Sequence, residues 1–306
     1  MVRWTTADIP DQTGRTILVT GANSGLGLRT AEVLAAAGAH VLMACRNQAK
    51  AADARDTVAA TAAGPAPTVV ALDLADLASV RACAEQVVGS VEQLDGLVNN
   101  AGVMAIPLTR TADGFEMQFG TNHLGHFALT GWLLPALLQA DAPRVVTVSS
   151  VAHWPGWMRW RNLNWASSYQ RWMAYSQSKL ANLLFASELE RRARAANCTL
   201  VSLAAHPGIS ATNLYAHADA SGRGARVFGQ SDAAGALPQL RALTDPGAKG
   251  NDYFGPWLEV RGHPRRATRS LLARRRKDAA RLWERSEQLT GVSYDFAGPT
   301  LRSAAG

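Results

Sequence analysis

Short apolar runs alternate with longer stretches rich in Ala and Leu along most of the chain. Each run is β-branched or aliphatic and ends near Gly, Asn, Asp or Ser, whereas the stretches between have the composition and length of helices. Near-continuous apolar strands that alternate with helices are typical of a parallel sheet covered on both faces. We therefore predict an α/β fold, a doubly wound parallel sheet of about seven strands. The runs are residues 16–20, 40–44, 68–72, 96–99, 144–149 and 199–205, and the helical stretches include 26–37, 77–91, 125–139 and 175–195.

A glycine-rich turn follows the first predicted strand directly. Residues 20–27 read Thr-Gly-Ala-Asn-Ser-Gly-Leu-Gly, and a helical stretch begins there. Glycine lets the chain turn sharply and approach a pyrophosphate closely, and a helix N-terminus offers free N–H groups to phosphate oxygens. We predict a dinucleotide site, with a plain strand-to-helix turn as the alternative. The residues expected to contact the cofactor here are Gly21, Asn23, Ser24, Gly25, Leu26 and Gly27.

The end of the second predicted strand indicates which dinucleotide binds. NAD sites usually place an acidic residue here to hold the ribose 2′-hydroxyl, whereas this chain has Cys45 followed by Arg46. A guanidinium beside a neutral residue suits a 2′-phosphate, so we predict NADP(H), with NAD(H) less favoured. The alternative is that Arg46 is an ordinary solvated charge.

Two further strand ends carry residues that suit a nucleotide. Asp73 and Leu74 follow the third strand, where the carboxylate suits either a hydrogen bond from adenine or the cap of the next helix. Small and amide residues follow the fourth strand and let the chain pass beneath a ribose, although by themselves they indicate only a turn. These residues are Asn100, Ala101 and Gly102.

Six motifs in order give the chain a family resemblance. Besides the turn at 20–27 they are Asp-Leu at 73–74, Asn-Asn-Ala-Gly at 99–102, Ser-Ser at 149–150, Tyr-Ser-Gln-Ser-Lys at 175–179 and His-Pro-Gly at 206–208. Over roughly residues 12–260 the chain resembles the short-chain dehydrogenase/reductase family. The resemblance implies one Rossmann-type domain over residues 1–306.

A longer stretch narrows the resemblance to one branch of that family. Residues 113–127 read Asp-Gly-Phe-Glu-Met-Gln-Phe-Gly-Thr-Asn-His-Leu-Gly-His-Phe. This stretch is similar to the branch that holds retinol dehydrogenases, the WW-domain oxidoreductase and light-dependent protochlorophyllide reductases. Many retinol dehydrogenases carry an N-terminal membrane anchor that this sequence lacks. This difference weakens the inference that retinol is the substrate here.

A tyrosine and a lysine form the candidate proton-transfer pair. Tyr175 and Lys179 are one helical turn apart, so their side chains point the same way. A neighbouring ammonium favours the phenolate and lowers the pKa of a tyrosine from about 10 toward neutrality. The resemblance implies that Tyr175 is the acid/base and that Lys179 also reaches the nicotinamide ribose.

The resemblance implies roles for several other residues. Strand periodicity does not separate Ser149 from Ser150, but the family pattern favours Ser150 as the residue that hydrogen-bonds the substrate oxygen. Asn122 would bind a water that relays protons to Lys179, a role compatible with a buried amide that ties down a helix kink. The residues placed at the nicotinamide carboxamide are Pro207, Gly208, Ile209 and Thr212.

These residues together predict an oxidoreductase. We expect NADP(H)-dependent interconversion of an alcohol and a ketone or aldehyde, with a bulky lipophilic molecule as substrate. The alternatives are C=C reduction, as in the protochlorophyllide reductases, and a non-catalytic NADP-binding sensor or scaffold, which would usually lose the Tyr or the Lys. The resemblance implies a homodimer or homotetramer, with a monomer as the alternative.

Three segments depart from a minimal fold of this kind. Residues 151–172 form an insertion that holds five of the nine tryptophans, among them Trp154 and Trp157. They line an apolar pocket for a bulky lipophilic substrate, merely pack the insertion onto the sheet, or form a subunit contact. Residues 209–250 are expected to form a substrate lid, and residues 261–306 a basic, helical C-terminal extension.

The basic charge of the chain is confined to that extension. The net charge is +7, and residues 261–285 alone hold ten Arg and Lys beside two acids. Leu271, Leu272, Ala279 and Leu282 have helical spacing, which predicts a docked helix with solvated arginines. Contact with anionic lipid is a less favoured alternative, and no nucleic-acid motif is present.

The remaining composition favours a cytoplasmic protein. The 306 residues are 47% hydrophobic and 18% charged, without an apolar run long enough to span a membrane and without a signal-peptide core at the start. The three cysteines lie far apart, so neither disulfides nor a metal site follow. His123 and His126 lack a third ligand and are interpreted as packing or surface residues.

Overall fold

The strands of the described residues form a single sheet. The computed structural model describes residues 3–208 and 230–297. Its strands are β1 (Thr16–Thr20), β2 (His40–Cys45), β3 (Thr68–Ala71), β4 (Gly96–Asn99), β5 (Arg144–Val148), β6 (Val201–Ala205), β7 (Tyr253–Pro256) and β8 (Pro264–Arg266). In these residues their order is β3-β2-β1-β4-β5-β6-β7-β8. β1 to β7 are parallel, and β8 pairs antiparallel with β7.

Helices cover both faces of this sheet. They are α1 (Gly25–Ala36), α2 (Gln48–Ala59), α3 (Leu77–Ser90), α4 (Met117–Phe119), α5 (Gly125–Leu137), α6 (Arg171–Ala195), α7 (Asp232–Thr244) and α8 (Arg276–Thr290). One core packs α1, α2 and α7 against the sheet, and another packs α3, α5 and α6 against its other side. The predicted doubly wound α/β fold is therefore confirmed, with an antiparallel edge strand added to seven parallel strands.

The region expected to be a lid contains a core helix. Residues 209–229, which include Ile209 and Thr212, lie outside the described residues. Beyond them α7 buries Ala236, Leu240 and Leu243 against the sheet. A Cβ on Gly96 of β4 would lie 3.0 Å from Leu243, so the second half of the region is a fixed layer of the fold.

The basic C-terminal segment is only partly helical. It contributes β8 before α8 begins at Arg276, and a 3₁₀ turn at Leu272–Arg274 interrupts the apolar spacing. Leu271 is therefore 78% exposed, contrary to its place in the predicted apolar stripe. Ala279 and Leu282 are buried as predicted, beside Trp283, whose ring stacks on Phe185 of α6.

Candidate active site

A cleft of about 420 Å³ opens at the carboxyl ends of β1, β2 and β4. Ligands bind at this edge in doubly wound sheets, because the strand order reverses there. The cleft is lined by all twelve predicted cofactor residues that precede residue 103: Gly21, Asn23, Ser24, Gly25, Leu26, Gly27, Arg46, Asp73, Leu74, Asn100, Ala101 and Gly102. Lining residues that the sequence analysis missed include Asn47, Lys50, Val103, Met104 and Thr121.

The glycine turn forms a cradle that side chains would fill. Gly21 and Gly25 have φ values of 67° and 53°, in the left-handed region. A Cβ on Gly27 would lie 2.2 Å from the carbonyl oxygen of Gly21 and 2.7 Å from Nδ2 of Asn100. The turn can therefore bring backbone N–H groups against a diphosphate, which is the requirement of an NAD(P) cofactor.

A hydrogen-bond network fixes the ends of β1 and β4 to each other. The hydroxyl of Thr20 accepts the N–H groups of Asn100 and Ala101, each at 2.9 Å, and Asn100 Nδ2 donates to Thr20 O at 2.8 Å. His126 Nε2 lies 2.9 Å from the same hydroxyl. Burial lowers the His126 pKa to about 4, so this ring is neutral. The sequence interpreted His126 as a packing or surface residue and did not show its contact with the Thr20 hydroxyl at this turn.

Two cationic side chains line the cleft just after the end of β2. Arg46 and Lys50 both line it, and Asn47 between them caps α2 by accepting the N–H of Lys50 at 3.0 Å. Neither cation has an ion pair within residues 3–208 and 230–297. The sequence analysis missed Lys50, whose place in the cleft depends on the start of α2 at the Asn47 cap.

Asp73 supports the turn after β3 and does not itself cap α3. Its carboxylate accepts the N–H of Ala75 at 2.9 Å, and its own N–H donates to the Ser79 hydroxyl. Asp76 is the cap of α3, since it accepts the N–H groups of Ala78 and Ser79. Asp73 therefore lies in the cleft with its strand-end position fixed by α3.

Tyr175 and Lys179 are buried side by side on α6. The Lys179 ammonium lies 5.7 Å from the centre of the Tyr175 ring and donates to Val148 O at 3.2 Å. Burial of this ammonium lowers the Lys179 pKa to about 8. Only 6% of Tyr175 is exposed, and its ring packs with Met104 and Ala105. The pair thus lies beneath the edge of the cleft that Met104 lines.

The two serines after β5 have different surroundings. Ser149 is buried and its hydroxyl donates to Lys179 O at 2.8 Å, which ties β5 to α6. Ser150 is half-buried, and its hydroxyl accepts the N–H of Ala152 at 3.1 Å. His153 Nδ1 donates to Ser150 O at 2.7 Å. The Ser150 hydroxyl thus keeps its proton for another acceptor.

Asn122 lies in a π-helical turn, Gly120–Leu124, between α4 and α5. Its amide accepts the N–H of Val103 at 2.8 Å and donates to Val103 O and to Ser178 Oγ, each at 2.9 Å. A Cβ on Gly102 would lie 2.9 Å from Asn122 Oδ1 and 3.5 Å from Lys179 Nζ. The structure therefore brings Asn122, Gly102 and Lys179 together and gives the Asn122 side chain a structural role.

The turn after β6 is held by the hairpin between β7 and β8. Gly208 has a φ of 71°, and a Cβ there would lie 2.2 Å from Val260 O. His206, buried below the turn, lies 3.2 Å from the Glu259 carboxylate of the same hairpin. Pro207 and Gly208 are thus fixed in place, whereas Ile209 and Thr212 lie outside the described residues.

The tryptophans of the insertion have different environments. Trp154 and Trp157 are 49% and 50% exposed, whereas Trp165 is buried. Trp160 lies under the Arg281 guanidinium, 4.4 Å from its ring centre. Trp172 meets the Tyr175 ring edge-on with centres 6.4 Å apart. Of these five, Trp172 is the one with a ring contact to the candidate acid/base.

Comparison with known proteins agrees with this site. The sequence profile of the short chain dehydrogenase family matches residues 15–221. The chain is 41% identical over 299 residues to mouse retinol dehydrogenase 14, which covers 91% of this chain and 86% of that protein. It is 38% identical over 287 residues to human retinol dehydrogenase 12, covering 92% and 88%.

Solved structures with the same fold extend the comparison. An uncharacterized protein of Mycobacterium paratuberculosis is 47% identical, with a TM-score of 0.82 over 96% of this chain and 100% of that one. A short chain dehydrogenase of Shigella flexneri 2a, complexed with NADP, is 25% identical, with a TM-score of 0.64 over 79% and 96%.

Fold, site and relatives define an NAD(P)-dependent oxidoreductase that acts on alcohol and carbonyl groups. The chain belongs to the short-chain dehydrogenase family. None of the helices in the described part of the chain combines the length and apolar character that crossing a membrane requires. Within that same part, no three His, Cys, Asp or Glu side chains come together in the manner of a metal site.

Proposed function

We propose that this protein is an NADP(H)-dependent reductase or dehydrogenase of a bulky lipophilic carbonyl or alcohol, with Tyr175 as acid/base. The observation that carries the proposal is the buried Tyr175 and Lys179 pair beneath a cleft built on a glycine cradle. The cradle, the strand ends and the pair lie at one edge of the sheet, where a dinucleotide and a substrate can meet.

In this proposal the protein's own residues transfer the proton of the substrate oxygen and hold the substrate carbonyl in position. NADP(H), when bound, supplies or removes the hydride. Tyr175 gives its phenolic proton to the substrate oxygen during reduction and takes it back during oxidation. Lys179, largely charged below pH 8, stabilises the phenolate. The Ser150 hydroxyl donates to the substrate oxygen and holds it near Tyr175.

The preference for NADP(H) rests on Arg46 and Lys50. Both line the cleft without an ion pair among the described residues, and no carboxylate occupies the end of β2. Two cations suit a dianionic 2′-phosphate, whereas a ribose diol would favour an acidic acceptor.

The variant Arg46→Asp is expected to weaken NADPH binding at least tenfold, because one charge-assisted contact is lost and a repulsive charge is added. NADH binding is expected to remain or to improve. Titration of both nucleotides by fluorescence measures the two affinities. Arg55→Asp lies on α2, the helix that follows Arg46, but outside the cleft; it is the matched control and should leave both affinities unchanged. Equal loss of NADPH affinity in both variants would contradict the assignment of Arg46.

The preference for a bulky lipophilic substrate rests on the apolar cluster at Tyr175. Met104, Ala105 and Tyr175 form its buried centre, and Ala152 and Trp172 pack against it. An aromatic ring beside the acid/base offers a large apolar contact to a substrate whose oxygen reaches Tyr175. The retinol dehydrogenases among the relatives are named for a substrate of this kind.

Trp172→Ala is expected to lower kcat/KM for retinal about tenfold relative to kcat/KM for a short aldehyde, since one large apolar contact is lost. NADPH-coupled reduction of both aldehydes gives this ratio. Trp160→Ala removes a tryptophan from the same insertion that packs on Arg281, so it controls for loosening of the insertion. If both variants change the ratio equally, Trp172 has no special contact with substrate.

A further inference from the structure

A second cleft, of about 500 Å³, lies between the end of α6, the segment before β7 and the start of α8. It contains none of the residues that line the cofactor cleft. Six arginines and two glutamates line it, and the arginines are Arg191, Arg194, Arg269, Arg274, Arg275 and Arg276. Such an excess of cations around a concave surface indicates an anionic ligand.

The two carboxylates offset only part of this charge, because Glu188 pairs closely with one arginine of the cleft, Arg191, at 2.5 Å. Glu188 is shared by Arg191 and by Arg192, which lies outside the cleft. Glu190 accepts the N–H of Ser202 at 2.9 Å and approaches Arg194 only to 4.0 Å.

Three of the six arginines lie at or just before the start of α8, and nearby carboxylates compensate them little. Arg275 reaches Asp278 only at 3.9 Å. Arg274 and Arg276 have no ion pair within the described ranges, 3–208 and 230–297. Several guanidinium groups at the cleft are therefore available to a ligand.

Arg269 places a buried charge at this cleft. It is 8% exposed, and its guanidinium donates to Ser187 Oγ, to Asn251 Oδ1 at 2.6 Å and to Asn251 O at 2.9 Å. All three acceptors are neutral, and no carboxylate lies within ion-pair distance in the part of the chain that the structure describes. Asp252 attracts this guanidinium from beyond ion-pair distance and is itself paired with Arg266. A buried charge without a direct counter-ion is costly, and an anion in the cleft would provide one.

Positive charge also exceeds negative charge at the N-terminus of α8. Its cap residue, Arg275, makes no side-chain hydrogen bond to the helix, so the N–H groups of the first turn lack that partner. Cations in the first turn oppose the positive end of the helix dipole, and Arg276 and Lys277 are both there, beside one acid, Asp278. An anion would accept these N–H groups and offset the repulsion.

We propose that this cleft is a binding site for a phosphate-bearing anion, separate from the cofactor site. The planar guanidinium forks of Arg269, Arg274 and Arg276 suit bidentate contacts to phosphate oxygens. The cleft has room for more than one phosphate group, so an oligophosphate fits it better than a single phosphate. The proposal does not depend on the reaction that the protein catalyses.

Isothermal titration with pyrophosphate tests the proposal. The titration is done with saturating NADPH, which blocks the glycine turn. Wild-type protein is expected to bind one pyrophosphate more tightly than inorganic phosphate. The variant R274Q/R276Q is expected to weaken that binding at least tenfold, because two charge-assisted contacts are lost.

A matched variant separates a built site from general positive charge. R265Q/R285Q removes two exposed cations of the C-terminal segment that do not line the cleft, and it is expected to change pyrophosphate affinity less than twofold. Equal loss in both double variants, or no pyrophosphate binding beside NADPH, would overturn the proposal. Thermal unfolding of each variant without ligand confirms that it is folded.

A phosphate group can come from a free metabolite or from a lipid headgroup, and sedimentation with vesicles distinguishes these sources. Phosphatidylcholine vesicles with and without phosphatidic acid are compared. Sedimentation that requires phosphatidic acid and is lost in R274Q/R276Q supports the site with a lipid as the source. If pyrophosphate binds but the protein stays unbound to both vesicles, the site stands with a free oligophosphate as ligand.

Discussion

Tyr175→Phe is expected to lower the rate of NADPH-dependent carbonyl reduction by about 10²- to 10⁴-fold, the usual contribution of a positioned proton donor. The phenyl ring keeps its contacts with Trp172 and Met104, so the wall of the site is preserved. Only the proton that Tyr175 gives to the substrate oxygen is removed. Nucleotide affinity is expected to stay within about threefold of wild type, because the glycine turn and Lys179 are intact. Steady-state kinetics and nucleotide titration measure the two effects.

Tyr294→Phe provides the matched control for this result. It also removes a hydroxyl from a packed aromatic ring, since Tyr294 donates to Phe127 O at 2.6 Å. That ring packs against Trp283, away from the cofactor cleft. The control is expected to lose some stability and to retain its rate. If Tyr175→Phe retains its rate as well, Tyr175 is not the acid/base, and the proposed function fails at its central residue.

Gly27→Ala is expected to weaken NADPH binding at least tenfold and to lower the free energy of unfolding by about 1–3 kcal/mol. The added methyl would lie 2.2 Å from Gly21 O, a backbone atom that cannot rotate away. α1 must then move off the turn, and its N–H groups move away from the position of the diphosphate. Urea unfolding and NADPH titration measure the stability and the affinity.

Gly89→Ala separates this close contact from the general effect of replacing a helical glycine. Gly89 lies near the end of α3, and a Cβ there would meet no atom within 4 Å. Its replacement is expected to leave NADPH affinity unchanged and to stabilise the protein by about 0.4–1 kcal/mol. If Gly27→Ala leaves the NADPH affinity unchanged, the glycine turn is not the binding site of the diphosphate.

Residues of the C-terminal part of the chain hold side chains near the candidate site in place. Three buried histidines near that site each contact a residue beyond position 253. His123 Nε2 lies 2.8 Å from the Ser286 hydroxyl, His153 Nε2 accepts the N–H of Ser270 at 3.1 Å, and His206 lies beside Glu259. Burial lowers the pKa of His123 to about 3 and that of His153 to about 4, so both rings are neutral. Their hydrogen bonds connect the C-terminal part of the chain to the segments that carry these histidines.

The glycine turn, the sheet and the family were predictable from the sequence because they depend on local signals. A Gly-rich turn between an apolar strand and a helix permits few backbone conformations, and near-continuous apolar strands require cover on both faces. Since parallel strands end at one edge of a sheet, the residues after each strand were expected to meet. The twelve predicted residues in the first 102 positions do line one cleft.

The tertiary structure decided which distant residues meet, because those contacts depend on packing and not on spacing. It placed Trp172 rather than Trp154 against Tyr175, and it placed Lys50 in the same cleft as Arg46. It also gathered arginines from α6 and from residues 269–276 around one cleft, although the sequence shows them only as separate solvated charges. Strand β7 has four residues and β8 has three, too few for a periodic pattern, so only their pairing with the sheet defines them.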